Sequence, residues 1–100
     1  MIDFERIVGF DWDDGNSRKN DDKHGVAQAE AEQVFTDERI LIAADVGHSG
    51  TESRYQALGK TADGRRLHVS FTLRRDGTLI RMISARDINR KEKTRYESQA

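Results

Sequence analysis

Apolar and polar residues alternate most cleanly between Arg66 and Arg74. Leu67, Val69, Phe71 and Leu73 fall on one side, and Arg66, His68, Ser70 and Thr72 on the other. A period of two predicts a strand with one face on a core. It is flanked by two turn signals, Thr61-Ala-Asp-Gly64 and Arg75-Asp-Gly77, so the segments on either side should be its hairpin partners. Those are Ser53 to Lys60, and Leu79 to Ala85. A regular strand over the second puts Ile80, Met82 and Ser84 on one face and Leu79, Arg81, Ile83 and Ala85 on the other. Arg39-Ile-Leu-Ile-Ala-Ala44 is nearly all apolar, which predicts a strand covered on both faces. Arg6 to Trp12 reads as the first strand, after a frayed start at residues 1–5.

The helical signals are less even. Asp14 to His24 contains no apolar side chain, yet Asp13-Asp-Gly15 offers caps before it and Gly25 is a good residue just past a helix end. A helix here cannot be held by burying a stripe, so it is a weak surface element or one kept for its side chains. On such a helix Asn16, Asn20, Lys23 and His24 share a face. Val26 to Phe35 is a clearer helix, with Ala27, Ala31, Val34 and Phe35 as its stripe. Asn89-Arg-Lys-Glu92 has the form of a capping box and predicts a last helix running to Tyr96 or Glu97.

The predicted order is β-α-α-β-β-β-β-α. Four consecutive strands with short turns make a mostly antiparallel sheet, joined by the first strand through the helical pair. The class is α+β with helices packed on one face of the sheet, and 100 residues predict a single domain over 1–100. No apolar run is long enough for a membrane span or a signal-peptide core. Cysteine is absent, which excludes disulfides and thiolate metal sites and fits a reducing cytoplasm. No spaced His/Asp/Glu cluster suggests a metal site, so no cofactor is expected.

Net charge is −1, which hides a bipolar chain. Residues 1–53 hold 5 Lys/Arg against 13 Asp/Glu, and residues 54–100 hold 12 against 5. A basic half can bind phosphates by counterion release while the acidic half keeps the total near neutral. The plainer alternative is that the halves neutralise each other across the fold.

Several segments together resemble a known family, the BrnT toxins, which are the ribonuclease halves of type II toxin–antitoxin pairs. They are Phe10-Asp-Trp-Asp, Asn20-Asp-Asp-Lys-His-Gly-Val26, Ala31-Glu-Gln-Val-Phe-Thr-Asp37, Glu52-Ser-Arg-Tyr-Gln-Ala-Leu-Gly59, Val69-Ser-Phe-Thr, and Ile80-Arg-Met-Ile-Ser-Ala-Arg86 with Arg90-Lys-Glu and Tyr96-Glu. No one of them is specific, but their order and spacing run from Phe10 to Glu97. The resemblance implies a RelE-like small toxin fold and an endoribonuclease that cleaves RNA without metal, inhibiting translation and growth. It also implies a cognate BrnA-like antitoxin with a ribbon-helix-helix DNA-binding domain, through which the pair would reach operator DNA.

Cleavage of that kind needs a base for the 2′-hydroxyl, cations against the charge growing on phosphorus, and an acid for the leaving oxygen. His24, the one histidine inside a family motif, is the candidate for proton transfer, with Lys23 supplying charge; its alternative is a helix cap. Arg86 at the strand end is the candidate phosphate clamp, since a guanidinium can hold two oxygens at once. Its alternative is pairing with Asp87 or Glu92. Ser84 shares its face. Arg54 would contact phosphate or pair with Glu52. Arg81, on the opposite face of a regular strand, fits an ion pair better. Arg90, Lys91, Lys93 and Arg95 place four cations within six residues, enough to steer RNA. Tyr96 fits a core anchor better than a stacking platform, Trp12 and Phe35 read as core, and His48 and His68 read as surface. The chain departs from the family in Asp21-Asp22, two acids beside the expected site. They favour a second reading, a degenerate toxin kept as an antitoxin-binding co-repressor.

Overall fold

Eight main elements follow one another in the computed structural model, which describes residues 2–48 and 52–98. They are β1 (Gly9–Asp11), α1 (Asp14–His24), α2 (Gln28–Gln33), β2 (Leu41–Ala44), β3 (Arg54–Lys60), β4 (Arg66–Arg74), β5 (Leu79–Asp87) and α3 (Arg90–Glu97). Short 3-10 turns occupy Phe4–Arg6, Val34–Thr36 and Val46–His48. The sheet order is β1-β5-β4-β3-β2, antiparallel throughout except that β1 runs parallel to β5.

The alternation in β4 does what its period dictates. Leu67, Val69 and Phe71 are buried and form the centre of the core with Ile80, Met82 and Ala85 from β5 and Ala57 from β3. The α2 segment closes this side through Val26, Ala31 and Val34. Phe35 meets Phe71 edge-on with ring centroids 5.1 Å apart, and Phe10 packs on Phe35 at 5.6 Å. Packing is tight at Gly59, where an added Cβ would stand 2.5 Å from a Val34 methyl and 3.1 Å from the Val34 carbonyl oxygen. Glycine is needed there because the Val34 methyl and carbonyl fill the space a side chain would take.

Three expectations change. The run Arg39–Ala44 is not covered on both faces: β2 is an edge strand, only half-buried, pairing with β3 alone. Its apolar content serves the core on one side, through Ile42, and leaves Ala43 and Ala44 beside a groove lined also by Ile2, Phe4 and Tyr55. The first strand is three residues rather than seven, because Phe4–Arg6 turns as a 3-10 helix capped by the Asp3 side chain. The helices are not all on one face. Register places Leu58 with His68 on the face opposite the core, and Leu58 is 3% exposed there, under α3.

The third helix starts as its sequence demands. The Asn89 side chain accepts from the Glu92 amide and Glu92 accepts from the Asn89 amide, each at 2.9 Å. Tyr96 anchors the helix: it is buried and its hydroxyl donates to Asp37 at 2.5 Å. Burial, then the bond to the carboxylate, raises that hydroxyl's pKa to about 12. Helix α1 ends at Gly25, whose φ of +64° is the left-handed conformation that stops a helix at low cost. The shared face expected of Asn16, Asn20, Lys23 and His24 involves the Asn16 and Asn20 side chains, which lie outside the described residues, as do those of Asp22 and His48.

Candidate active site

One irregularity in the sheet decides which side chains meet. Ser70 pairs with Ser84, but Phe71 pairs with Met82, so Ile83 is an extra residue in β5. A bulge of this kind reverses the alternation beyond it. Met82 and Ala85 are thereby both buried in the core, and Ser84 and Arg86 turn to the other face. Arg81, paired with Thr72, is on that same face, contrary to the expectation for a regular strand.

On this face the sheet and α3 enclose an open cavity of about 340 Å³. It is lined by Arg54 and Gln56 of β3, His68 and Ser70 of β4, Ile83, Ser84 and Arg86 of β5, Glu92 of α3, and Asp45. The rows are set by register: Gln56 opposite Ser70, Ser70 opposite Ser84, His68 opposite Arg86. A larger groove of about 700 Å³ at the β2 edge is lined by apolar side chains and Tyr55, and holds no general acid or base suited to neutral pH.

Arg86 and Glu92 form a forked ion pair, Nη1 and Nη2 each donating at 2.8 Å to one carboxylate oxygen, and Nη1 also reaches the Asp87 carbonyl at 3.1 Å. The Arg86 guanidinium and the Asn89 amide hold Glu92 at a pKa of about 2, well below the usual carboxylate range, against the opposing effect of burial. Glu92 Oε2 is also 3.8 Å from His68 Nε2. Burial, and then the charge of Arg86, depress the His68 pKa, so its ring favours the neutral form.

The linkage has a definite sign. Glu92 titrates lower folded than unfolded, so its contribution is complete above pH 4.5 and disappears as pH falls through about 4.5 to 2, amounting to about 3 kcal/mol. Urea unfolding measured at successive pH values is expected to show that loss in the wild type and to show a flatter profile in Glu92→Gln. Parallel profiles would mean that another carboxylate governs acid stability.

The structure brings together three of the five residues expected to catalyse. Arg54, Ser84 and Arg86 line the cavity, and Lys23 and His24 do not. His24 stands on the other side of the strand end. Its carbonyl accepts from Arg65 at 3.4 Å, and Arg65 chelates Asp87, which precedes α3 on the core-side register of β5. The single cluster facing Arg86 is thus divided. Glu52 pairs with Arg74 at 2.5 Å. Arg81 binds Asp11 at 2.8 Å and approaches Asp13 at 3.8 Å, the ion-pair role expected of it. Arg90, Lys91, Lys93 and Arg95 are exposed on α3 beside the cavity. Asp21 is exposed on α1 and is not part of the cavity lining.

His68 is the residue that reasoning from sequence missed. It is 6% exposed, not on the surface. Alternation alone assigns the polar positions of β4 to solvent, whereas Glu92 of α3 lies over His68. No local signal could have found His68: a regular β4–β5 hairpin sets it against Ala85, and only the extra residue Ile83 brings it opposite Arg86.

Residues 12–92 match the family described as the ribonuclease toxin, BrnT, of type II toxin–antitoxin systems. The chain belongs to the BrnT family. The crystal structure of the BrnT ribonuclease toxin from Brucella abortus superposes with a TM-score of 0.64 at 19% identity, covering 83% of this chain and 99% of that one. At that identity the likeness shows the fold. No curated protein matches by sequence. BrnT membership makes this a ribonuclease toxin family member with an antitoxin partner and an RNA substrate. Among the described residues no helix is long and apolar enough to cross a membrane.

Proposed function

We propose that this BrnT chain is an endoribonuclease acting as a single RelE-like toxin domain, cutting RNA on the open face of its sheet without a metal ion. The observation that carries this reading is the convergence of Arg54, Ser84 and Arg86 on one cavity beside a buried histidine. The 2′-hydroxyl attacks phosphorus, leaving a cyclic phosphate and a free 5′-hydroxyl. Glu92 holds the Nη1/Nη2 end of Arg86 in place. The Nε/Nη2 edge of the same guanidinium is the second fork, suited to two phosphate oxygens. Ser84 donates to the phosphate and Arg54 approaches it from β3. Arg90, Lys91, Lys93 and Arg95 steer the strand, and Arg81, Lys23 and His24 meet it outside the cavity. RNA loss would inhibit translation and growth in the cytoplasm until a BrnA-like ribbon-helix-helix antitoxin masks the toxin, and the complex would reach operator DNA through that antitoxin.

The test is to map RNA termini after brief induction and with the purified chain in a chelator. Ends with 5′-hydroxyl and cyclic or 3′-phosphate are expected, suppressed by the co-expressed antitoxin. Intact RNA together with tight antitoxin binding would instead establish the co-repressor. The feature that favours that second reading is the Asp21-Asp22 pair, of which Asp21 is not part of the cavity lining.

A further inference from the structure

Arginine and serine side chains bind phosphate well and exchange protons poorly near neutral pH. Arg54, Arg86, Ser70 and Ser84 therefore leave the cavity without a proton acceptor. Two carboxylates and one imidazole remain, and Asp45, in the segment after edge strand β2, is separated by β3 and β4 from β5, which carries Arg86. Glu92 is committed to the Arg86 fork and to the helix cap. We propose that His68 is the catalytic base of this site, taking the 2′-hydroxyl proton on Nε2. The inference rests on the ribonuclease reading given above.

Position supports the assignment. His68 is the third residue of β4, in register with Arg86, and lines the same cavity as Ser84. The charged groups around it come from each neighbouring element: Arg86 from β5, Glu92 from α3, Arg54 from β3, and Asp45 from the segment after β2. The backbones of His68 and Arg86 are one strand spacing apart, about 5 Å, so both side chains rise from neighbouring strands into the same cavity. The neutral ring favoured by burial and by Arg86 is the form that can accept a proton. Once it is charged, the Glu92 oxygen 3.8 Å away compensates it. The step balances. The 2′-oxygen gives its proton to Nε2 and forms a bond to phosphorus, the P–O5′ bond breaks, and O5′ takes a proton from water. The imidazolium then returns its proton to solvent.

The test is single-turnover cleavage of an RNA oligonucleotide by the full chain across pH 4.5–8. The wild-type rate is expected to rise on a limb with an apparent pKa below 6.5 and then level off. His68→Gln and His68→Asn are expected to lose about 10²- to 10⁴-fold in rate and to lose that limb, with RNA and antitoxin binding retained. A wild-type chain that leaves RNA intact overturns the ribonuclease reading and this assignment with it. A wild type that cleaves without the limb, or either variant cleaving within tenfold of wild type, overturns the assignment alone. The wild-type profile decides even if both variants fail to fold.

Discussion

Arg86→Ala is expected to lower single-turnover RNA cleavage by about 10²- to 10³-fold, the usual effect of removing one positioned donor from a developing anion. Loss of activity alone would not separate two roles, because Arg86 is also the partner of Glu92, whose side chain is 12% exposed. Removing the arginine strands a mostly buried carboxylate, at a cost of about 1–3 kcal/mol in stability. A double-mutant cycle separates the two. In Arg86→Ala/Glu92→Ala the stranded charge is gone, so stability should largely recover, while cleavage should stay low if the guanidinium binds phosphate. Recovery of cleavage along with stability would show that Arg86 only holds α3 in place. Arg86→Lys sharpens the point: it keeps the charge and loses the fork, so it should restore binding at low salt better than it restores rate.

The parts of this site that could be read from sequence are those governed by local rules. The alternation of β4, the Asp-Gly turns and the Asn89–Glu92 capping box each depend on residues close in the chain. They placed Ser84 and Arg86 at the end of β5 and α3 directly after it. Ile83 is where local rules stop. Nothing in Arg81-Met-Ile-Ser-Ala-Arg86 announces an extra residue, and period-two counting put Ser84 beside Met82. The bulge is a property of the β4–β5 pair: Met82 and Ala85 are three positions apart, and both fit the core only if the strand slips by one.

His68 and β2 illustrate a second limit. A polar residue on an alternating strand is solvated unless some distant element covers it, and a run of apolar residues is doubly covered only if neighbours exist on both sides. Both depend on where α3 and the sheet edge fall, which is tertiary information. The family resemblance directed attention to His24, since His24 lies inside a motif and His68 does not. The structure gives that motif another use. Lys23-His-Gly25 is a helix terminus, and its carbonyls are binding sites.

Arg65→Ala is expected to be the most destabilising surface-accessible substitution in the chain. The helix α1 has no apolar stripe to bury, so something other than the core must hold it. Its C-terminus carries the negative end of the helix dipole and unpaired carbonyls, which a cation satisfies well. Arg65, at the end of the β3–β4 turn, supplies one. Its Nη1 donates to the Gly25 carbonyl at 2.8 Å and its Nη2 to the His24 carbonyl at 3.4 Å. The same guanidinium chelates Asp87 at 2.7 and 2.9 Å and reaches Glu30 at 3.2 Å. One side chain thus ties the end of α1, the first turn of α2 and the end of β5 to a hairpin. Asp87, held mainly by this bond, has its carboxyl lowered below the usual range. The Arg65 side chain is 28% exposed, so screening is partial and a cost of about 2–4 kcal/mol is reasonable for breaking the network. Arg65→Lys should recover less than half of it, because an ammonium cannot meet two carbonyls and two carboxylates at once. The distinguishing readout is local. Native-state hydrogen exchange should show α1 amides opening at free energies well below global unfolding in Arg65→Ala, while β4 amides still report the global value. If unfolding free energy drops by under about 0.5 kcal/mol and α1 protection is unchanged, the helix is held by something other than its C-terminal clamp.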